Sequence, residues 1–210
     1  AWSTENPMGL AVDPEHIAAV EHTAAQLADL GHHVECAAPE WGTDGWSGAG
    51  VVWSTLMAYY NSPDLDKMGP DVRALEMLGR NTSATDYIRA TAGLQQLARR
   101  IVQFWTKYDI LITPVTTMKP FSNDWLSNEW LSETDGQERV QRIQELVSFT
   151  RPFNITGQPA ASVPVLRSHD GLPIGIHIVG PPAGDAMVLQ LSAQLEQAMG
   201  WAHELPAPAL

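Results

Sequence analysis

The feature that most constrains the fold is a pair of β-rich runs, Ala160 to Val165 and Gly175 to Val179, joined through Ser168-His169-Asp170-Gly171-Leu172-Pro173. Asp-Gly is a strong turn signal between such runs, so the segment reads as a β-hairpin. The next residues change period: Val188, Leu191, Leu195 and Met199 make one apolar face of a helix that Asp185 caps and Gly200 ends. A hairpin followed by an amphipathic helix needs a sheet with helices against it.

The N-terminal half repeats the alternation. Residues 1 to 4 resemble the end of a strand. Asp13-Pro14 supplies an N-cap and a first helical residue, and Ile17, Val20, Ala24, Leu27 and Leu30 recur at helical spacing up to Gly31. His32 to Ala37 has strand length. Ile110 to Thr113 lacks polar alternation and stops at Pro114, as expected of a short strand inside a sheet covered on both faces. Between them lie a glycine-rich loop at 40–50, a core helix over Val51 to Tyr60 and a long helix from about Ser83 to Tyr108. Residues 118 to 137 have little periodicity and read as an excursion or lid, before a helix over Gln137 to Ser148; the tail ELPAPAL reads as extended. The expected class is α/β, a mixed sheet covered by helices, with the chain forming part of one domain.

Composition mainly excludes. Asp and Glu total 24 against 12 for Lys and Arg, and the net charge of -12 disfavours nucleic acid and anionic membranes as partners. No apolar run is long enough to span a bilayer, and AWSTENPMGL has no signal-peptide pattern, so the cytoplasm is the expected location. The single Cys36 cannot form an internal disulfide and reads as a half-buried strand residue. Seven histidines include no His-x-x-x-His pair, so no metal site is expected. Ser168, His169 and Asp170 are adjacent turn residues that cannot bond in series as a triad, and Gly-x-Ser-x-Gly is absent.

Residues 149 to 182, FTRPFNITGQPAASVPVLRSHDGLPIGIHIVGPP, resemble the C-terminal block of the amidase signature family. The matching positions are Pro152, Phe153, Asn154, Thr156, Gly157, Gln158, Pro159, Ala160, Ser162 and Pro164, then Gly171, Leu172, Pro173 and Gly175. YDILITPV, Ala186 to Met199 and Asp13 to Pro39 resemble flanking family elements. Trp53-Ser54-Thr55 and Trp201 resemble the branch that includes cyclic-dimer hydrolases of 6-aminohexanoate. Leu166 and His177 depart from residues the family often has there, glycine and glutamine.

The resemblance implies the C-terminal part of the amidase signature fold and an amide hydrolase using two serines and a lysine, without metal or cofactor. Neither the serine-rich signature nor a matching lysine is present; Lys67, Lys107 and Lys119 lie in dissimilar surroundings. The expectation is that the catalytic residues precede Ala1, that this chain alone is inactive, and that its partners are a small-molecule amide and the N-terminal catalytic portion. A homo-oligomer is left open. The expected substrate-binding residues are Phe153, Asn154, Thr156 and Gln158, with Trp53 and Met57. Each has a structural alternative: Asn154 bonding backbone in an irregular turn, Phe153 in the core, Gly157 to Pro159 fixing the chain's path. The alternative function is a non-catalytic amidase-derived module that binds a ligand or a subunit.

Overall fold

The computed structural model describes residues 1–60, 67, 69–122, 125 and 136–201. The chain divides into two compact units. One comprises residues 1–40, 102–120 and 143–210, the other residues 41–101 and 121–142.

The first unit is built on a three-stranded antiparallel sheet of β1 (Leu111–Pro114), β2 (Ala160–Arg167) and β3 (Pro173–Val179), in the order β1-β3-β2. The Ser168 amide donates to the Leu172 carbonyl and the Gly171 amide to that of Ser168, each at 2.8 Å, closing the expected hairpin. Gly171 sits at φ +80°, where a residue without Cβ meets no penalty. Trp2 forms parallel bridges with both Ile112 and Cys36, so residues from the start of the chain extend the sheet past β1 and make it mixed. All four residues of β1 are buried, as its uninterrupted apolar run requires. Pro164 is tolerated because β2 lies at the edge of the three-stranded sheet, and a register shift follows between Pro164 and Leu166.

The period of two on β3 sorts its side chains. Ile174, Ile176 and Ile178 point to one face, where they pack with Ile112, Val163 and Val165 beneath α1 (Pro14–Asp29) and α7 (Asp185–Met199). The helices supply Ala19, Val20, Ala24 and Leu27 from α1 and Val188, Leu191 and Leu195 from α7. Asp13 caps α1 by accepting the Glu15 amide at 2.8 Å. Asp185, expected as the cap of α7, is its first helical residue instead; Gly184 is the cap and makes no side-chain bond. Cys36 is exposed rather than half-buried, because its segment meets the sheet at a single bridge and no layer covers it.

The second unit is helical: α2 (Ser47–Tyr60), α3 (Pro70–Arg80) and most of α4 (Ala84–Val102). The expected continuous helix to Tyr108 ends at Val102, and Gln103–Thr106 tightens into a 3-10 turn. No separate α3 was expected, although Pro70 at its first turn is a start signal. α5 (Gly136–Val147) follows, one residue ahead of the expected start; residues 123–124 and 126–135 of the expected excursion, and the tail after 201, lie outside the described residues.

The expectation of a core helix over Val51 to Tyr60 is overturned: only Gly48 and Ser54 of α2 are buried. α2 turns its small side to α3, where a Cβ on Gly79 would collide with the Ser54 carbonyl oxygen and lie 2.9 Å from the Ala58 Cβ. Gly79→Ala is therefore expected to destabilise the helix pair by about 1–3 kcal/mol, read as a lower urea midpoint. An unchanged midpoint would show that the two helices can separate without cost. No described helix is long and apolar enough to cross a membrane.

Candidate functional site

The second face of the sheet carries the side chains that alternate with the isoleucines. In register, Thr113, His177 and Ser162 lie side by side across β1, β3 and β2. Thr113 and His177 are buried, whereas Ala160, Ser162 and Pro164, which all share this face, are exposed. Among the described residues this side is thus covered over β1 and β3 and open over β2.

The cover over β3 comes from α6 (Arg151–Thr156), a six-residue helix where an irregular turn was one reading of the sequence. Its first turn carries Pro152, and Gly157 ends it in the left-handed conformation at φ +70°, its amide bonded to the Phe153 carbonyl. Phe153 is buried edge-on against His177 at 5.3 Å between ring centroids, and its other side meets Trp105 at 6.0 Å. Asn154 is exposed, with its Nδ2 donating to the Thr150 carbonyl at 3.3 Å. Thr156 is partly buried, and its hydroxyl donates to the Phe153 carbonyl at 3.4 Å.

Gln158 is buried, and its Nε2 donates to the Gly180 carbonyl at 2.6 Å, tying the entry of β2 to the exit of β3. The Gly180 amide returns a bond to the Pro159 carbonyl at 3.0 Å. The Oε1 of Gln158 is buried without a partner among the described residues. One end of this side chain is structural, and the other is an unspent acceptor.

The approach to α6 is fixed from the opposite end of the sequence. Asn6 is buried, donates from Nδ2 to the Ser148 hydroxyl at 2.8 Å, and accepts from the amides of Met8 and Leu10 at 2.9 and 3.2 Å. Such a contact, spanning 142 positions, leaves no local pattern in the sequence.

His177, noted in the sequence only as a departure, is the most perturbed described group. Burial pushes its imidazole down to about 4, so it is neutral near pH 7. The Thr113 hydroxyl donates to the Pro114 carbonyl at 2.9 Å and lies 3.4 Å from Nδ1 of His177.

Trp53 and Met57 belong to α2 in the other unit. They are one helical turn apart, with Leu56 and Tyr60 completing a stripe in which Trp53 is 55% and Tyr60 68% exposed. The lysines differ from a catalytic base. Lys107 is held in its charged form by Tyr108 at 2.7 Å and Glu35 at 3.2 Å, and Lys119 by Glu15 at 2.9 Å. Lys67 is exposed. No group of His, Cys, Asp and Glu among the described residues could hold a metal ion. A cleft of about 330 Å³ in the first unit, lined by Val34, Asp109, Ile110 and Gln194 among others, contains none of the expected site residues.

The family model described as Amidase matches residues 3–189. A 6-aminohexanoate-cyclic-dimer hydrolase of Paenarthrobacter ureafaciens is 31% identical over 220 residues, covering 97% of this chain and 44% of that protein. An acylamidase of Rhodococcus erythropolis is 28% identical, with 100% of this chain and 44% of the relative covered. The structure of a 6-aminohexanoate cyclic dimer hydrolase complexed with substrate is 29% identical with a TM-score of 0.84, over 96% of this chain and 45% of the other. This chain therefore spans less than half the length of the relatives it resembles.

Proposed function

The chain belongs to the amidase family, and on that premise we propose that it supplies scaffold and substrate-pocket elements to an amide hydrolase of the Ser-Ser-Lys type. The catalytic residues lie in an N-terminal portion, the substrate is a small carboxamide, and neither metal nor cofactor takes part. The observation that carries this reading is the asymmetry of coverage: 97% of this chain against 44% of the cyclic-dimer hydrolase. The sheet face left open at Ala160, Ser162 and Pro164 is in keeping with it.

Hydrolysis of an amide requires a nucleophile, a proton for the departing amine and donors directed at the developing oxyanion. In this reading the upstream portion provides all three. The share of this chain is shape and orientation: Phe153 as an apolar wall, Asn154 and Thr156 as polar contacts, the Gln158 clamp holding their supporting loop, and Trp53 and Met57 as apolar pocket surface. The cytoplasm fits a chain whose lone cysteine needs no oxidant. Substrate of the cyclic-dimer class is the first to try, because two relatives of that description are 30–31% identical to 97% of this chain.

Two measurements test the reading. The 210-residue chain is expected neither to open 6-aminohexanoate cyclic dimer to its linear amino acid nor to release aniline from simple anilides, whereas the polypeptide extended upstream is expected to cleave such amides. Turnover by the shorter chain, persisting after rigorous purification, would overturn it; an upstream stop codon would favour the non-catalytic module. Asn154→Ala tests the pocket. Its exposed side chain makes one long bond, so folding stability should change by less than about 0.5 kcal/mol. The catalytic efficiency of the extended protein should nevertheless fall by about tenfold, the order of one lost hydrogen bond. Equal efficiency would remove Asn154 from the pocket.

A further inference from the structure

We infer that the outer edge of β2, over Ala160 to Pro164, is the joint at which a strand of the upstream portion adds to the sheet. The direction of the backbone groups along β2 follows from its entry. The Gly180 amide donates at 3.0 Å to the carbonyl of Pro159, the residue directly opposite it when the register of β2 on β3 is continued. Bonded and non-bonded pairs alternate in an antiparallel ladder, so Ala161 and Val163 turn their backbone groups to β3. Ala160, Ser162 and Pro164 turn theirs away, and all three are exposed. The amides of Ala160 and Ser162 and the carbonyls of all three therefore face outward, with no backbone partner among the described residues. Pro164 has no amide to offer, so the template ends there.

Such a row of backbone groups takes up another strand unless the edge is guarded, most often by charge. The opposite edge of the sheet is guarded. There the segment of Cys36, bridged to Trp2, carries the exposed His33 and also Glu35, which is ion-paired with Lys107 at 3.2 Å. β2 has no charged residue from Ala160 to Leu166. A second copy of the chain is the poorer occupant, because it would bring together two molecules of net charge -12. An upstream portion is what the family relationship leaves to be placed: this chain covers 44% of the cyclic-dimer hydrolase, so more than half of that relative's length has no counterpart here.

The position of the edge bears on the site. Gln158 and Pro159 run directly into Ala160, and paired strands lie about 4.8 Å apart. A strand added here brings the upstream portion beside the segment that carries Phe153, Asn154, Thr156 and Gln158, where the amide-hydrolase reading, on which the joint rests, needs it.

Amide hydrogen exchange followed by NMR, on the 210-residue chain and on the extended polypeptide, tests the joint. In the shorter chain the Ala160 and Ser162 amides are expected to exchange at least about a hundredfold faster than those of Ala161 and Val163. In the extended polypeptide all four are expected to be protected to within about tenfold of one another. Fast exchange at Ala160 and Ser162 that persists in the extended polypeptide overturns the inference. So does their protection in the shorter chain: if it rises with concentration the occupant is a second copy, and if it does not the edge is covered from within.

Ser162→Pro separates strand pairing from burial alone. The substitution removes one outward amide and no inward one, as Pro164 already does two residues on. The urea midpoint of the extended polypeptide is expected to fall by more than that of the shorter chain. An equal change in both would show that the Ser162 amide has no upstream partner, and overturns the inference. A protected edge in an extended polypeptide that hydrolyses no amide would keep the joint and count against the hydrolase reading. Hydrolysis with a freely exchanging edge would do the reverse, so the two failures are separable.

Discussion

Ile176→Ala is expected to destabilise the first unit by about 3–5 kcal/mol, the upper part of the range for removing a large aliphatic side chain from a core. Ile176 is fully buried on the middle strand, paired with Pro114 on one side and Val163 on the other. Its side chain sits in the layer formed by Ile174, Ile178, Val163 and Val165 under two helices. Relaxation into the space left is limited, since strand pairing fixes the sheet below and the helices bring further buried residues from above. The loss would be read from the urea midpoint at an unchanged denaturant slope. A loss under about 1 kcal/mol would mean that the helices collapse onto the sheet, and that the layer is looser than its burial indicates.

His177 is expected to make stability depend on pH in a defined window. Its folded-state value of about 4 lies below the ordinary 6.5, so the native state binds fewer protons than the unfolded chain between those values. Above 6.5 both states are neutral at this site and its contribution to stability is fully present. As pH falls through the window the unfolded imidazole charges first, and stability is lost until the folded pKa is passed. The full loss is on the order of 3 kcal/mol. Carboxylates titrate in the same range, so the informative quantity is the difference between wild type and His177→Gln. The variant should show a flatter profile between pH 6.5 and 4. Parallel profiles would mean that the imidazole gains a proton in place, with water reaching it behind Phe153.

The elements legible in the sequence are those whose signals are local. The Asp13 cap, the apolar stripe of α1, the Asp170-Gly171 turn and the Gly200 stop each describe bonds within a few residues, and the structure shows them. Asp185 shows the limit of such reading: it is one residue inside the helix it was expected to cap. α6 is too short to express a helical period, so its surviving marks were Pro152 and Gly157. The α2 stripe was readable as apolar, but the side that packs is decided by the small residues Ser54, Ala58 and Gly79 at the crossing with α3.

For the candidate site the division is sharper. The resemblance points to Phe153, Asn154, Thr156 and Gln158 as candidates, while nothing in the sequence points to Asn6, Ser148, Trp105 and Thr113, which lie around them. The alternation of Ile174, Ile176 and Ile178 with Gly175, His177 and Val179 is written in the chain and determines by itself that β3 has two unlike faces. Only the tertiary structure decides which face lies under α1 and α7, and that a histidine is buried and neutral on the other. Period and capping depend on neighbours along the backbone, whereas burial and charge pairing depend on residues brought together from distant positions.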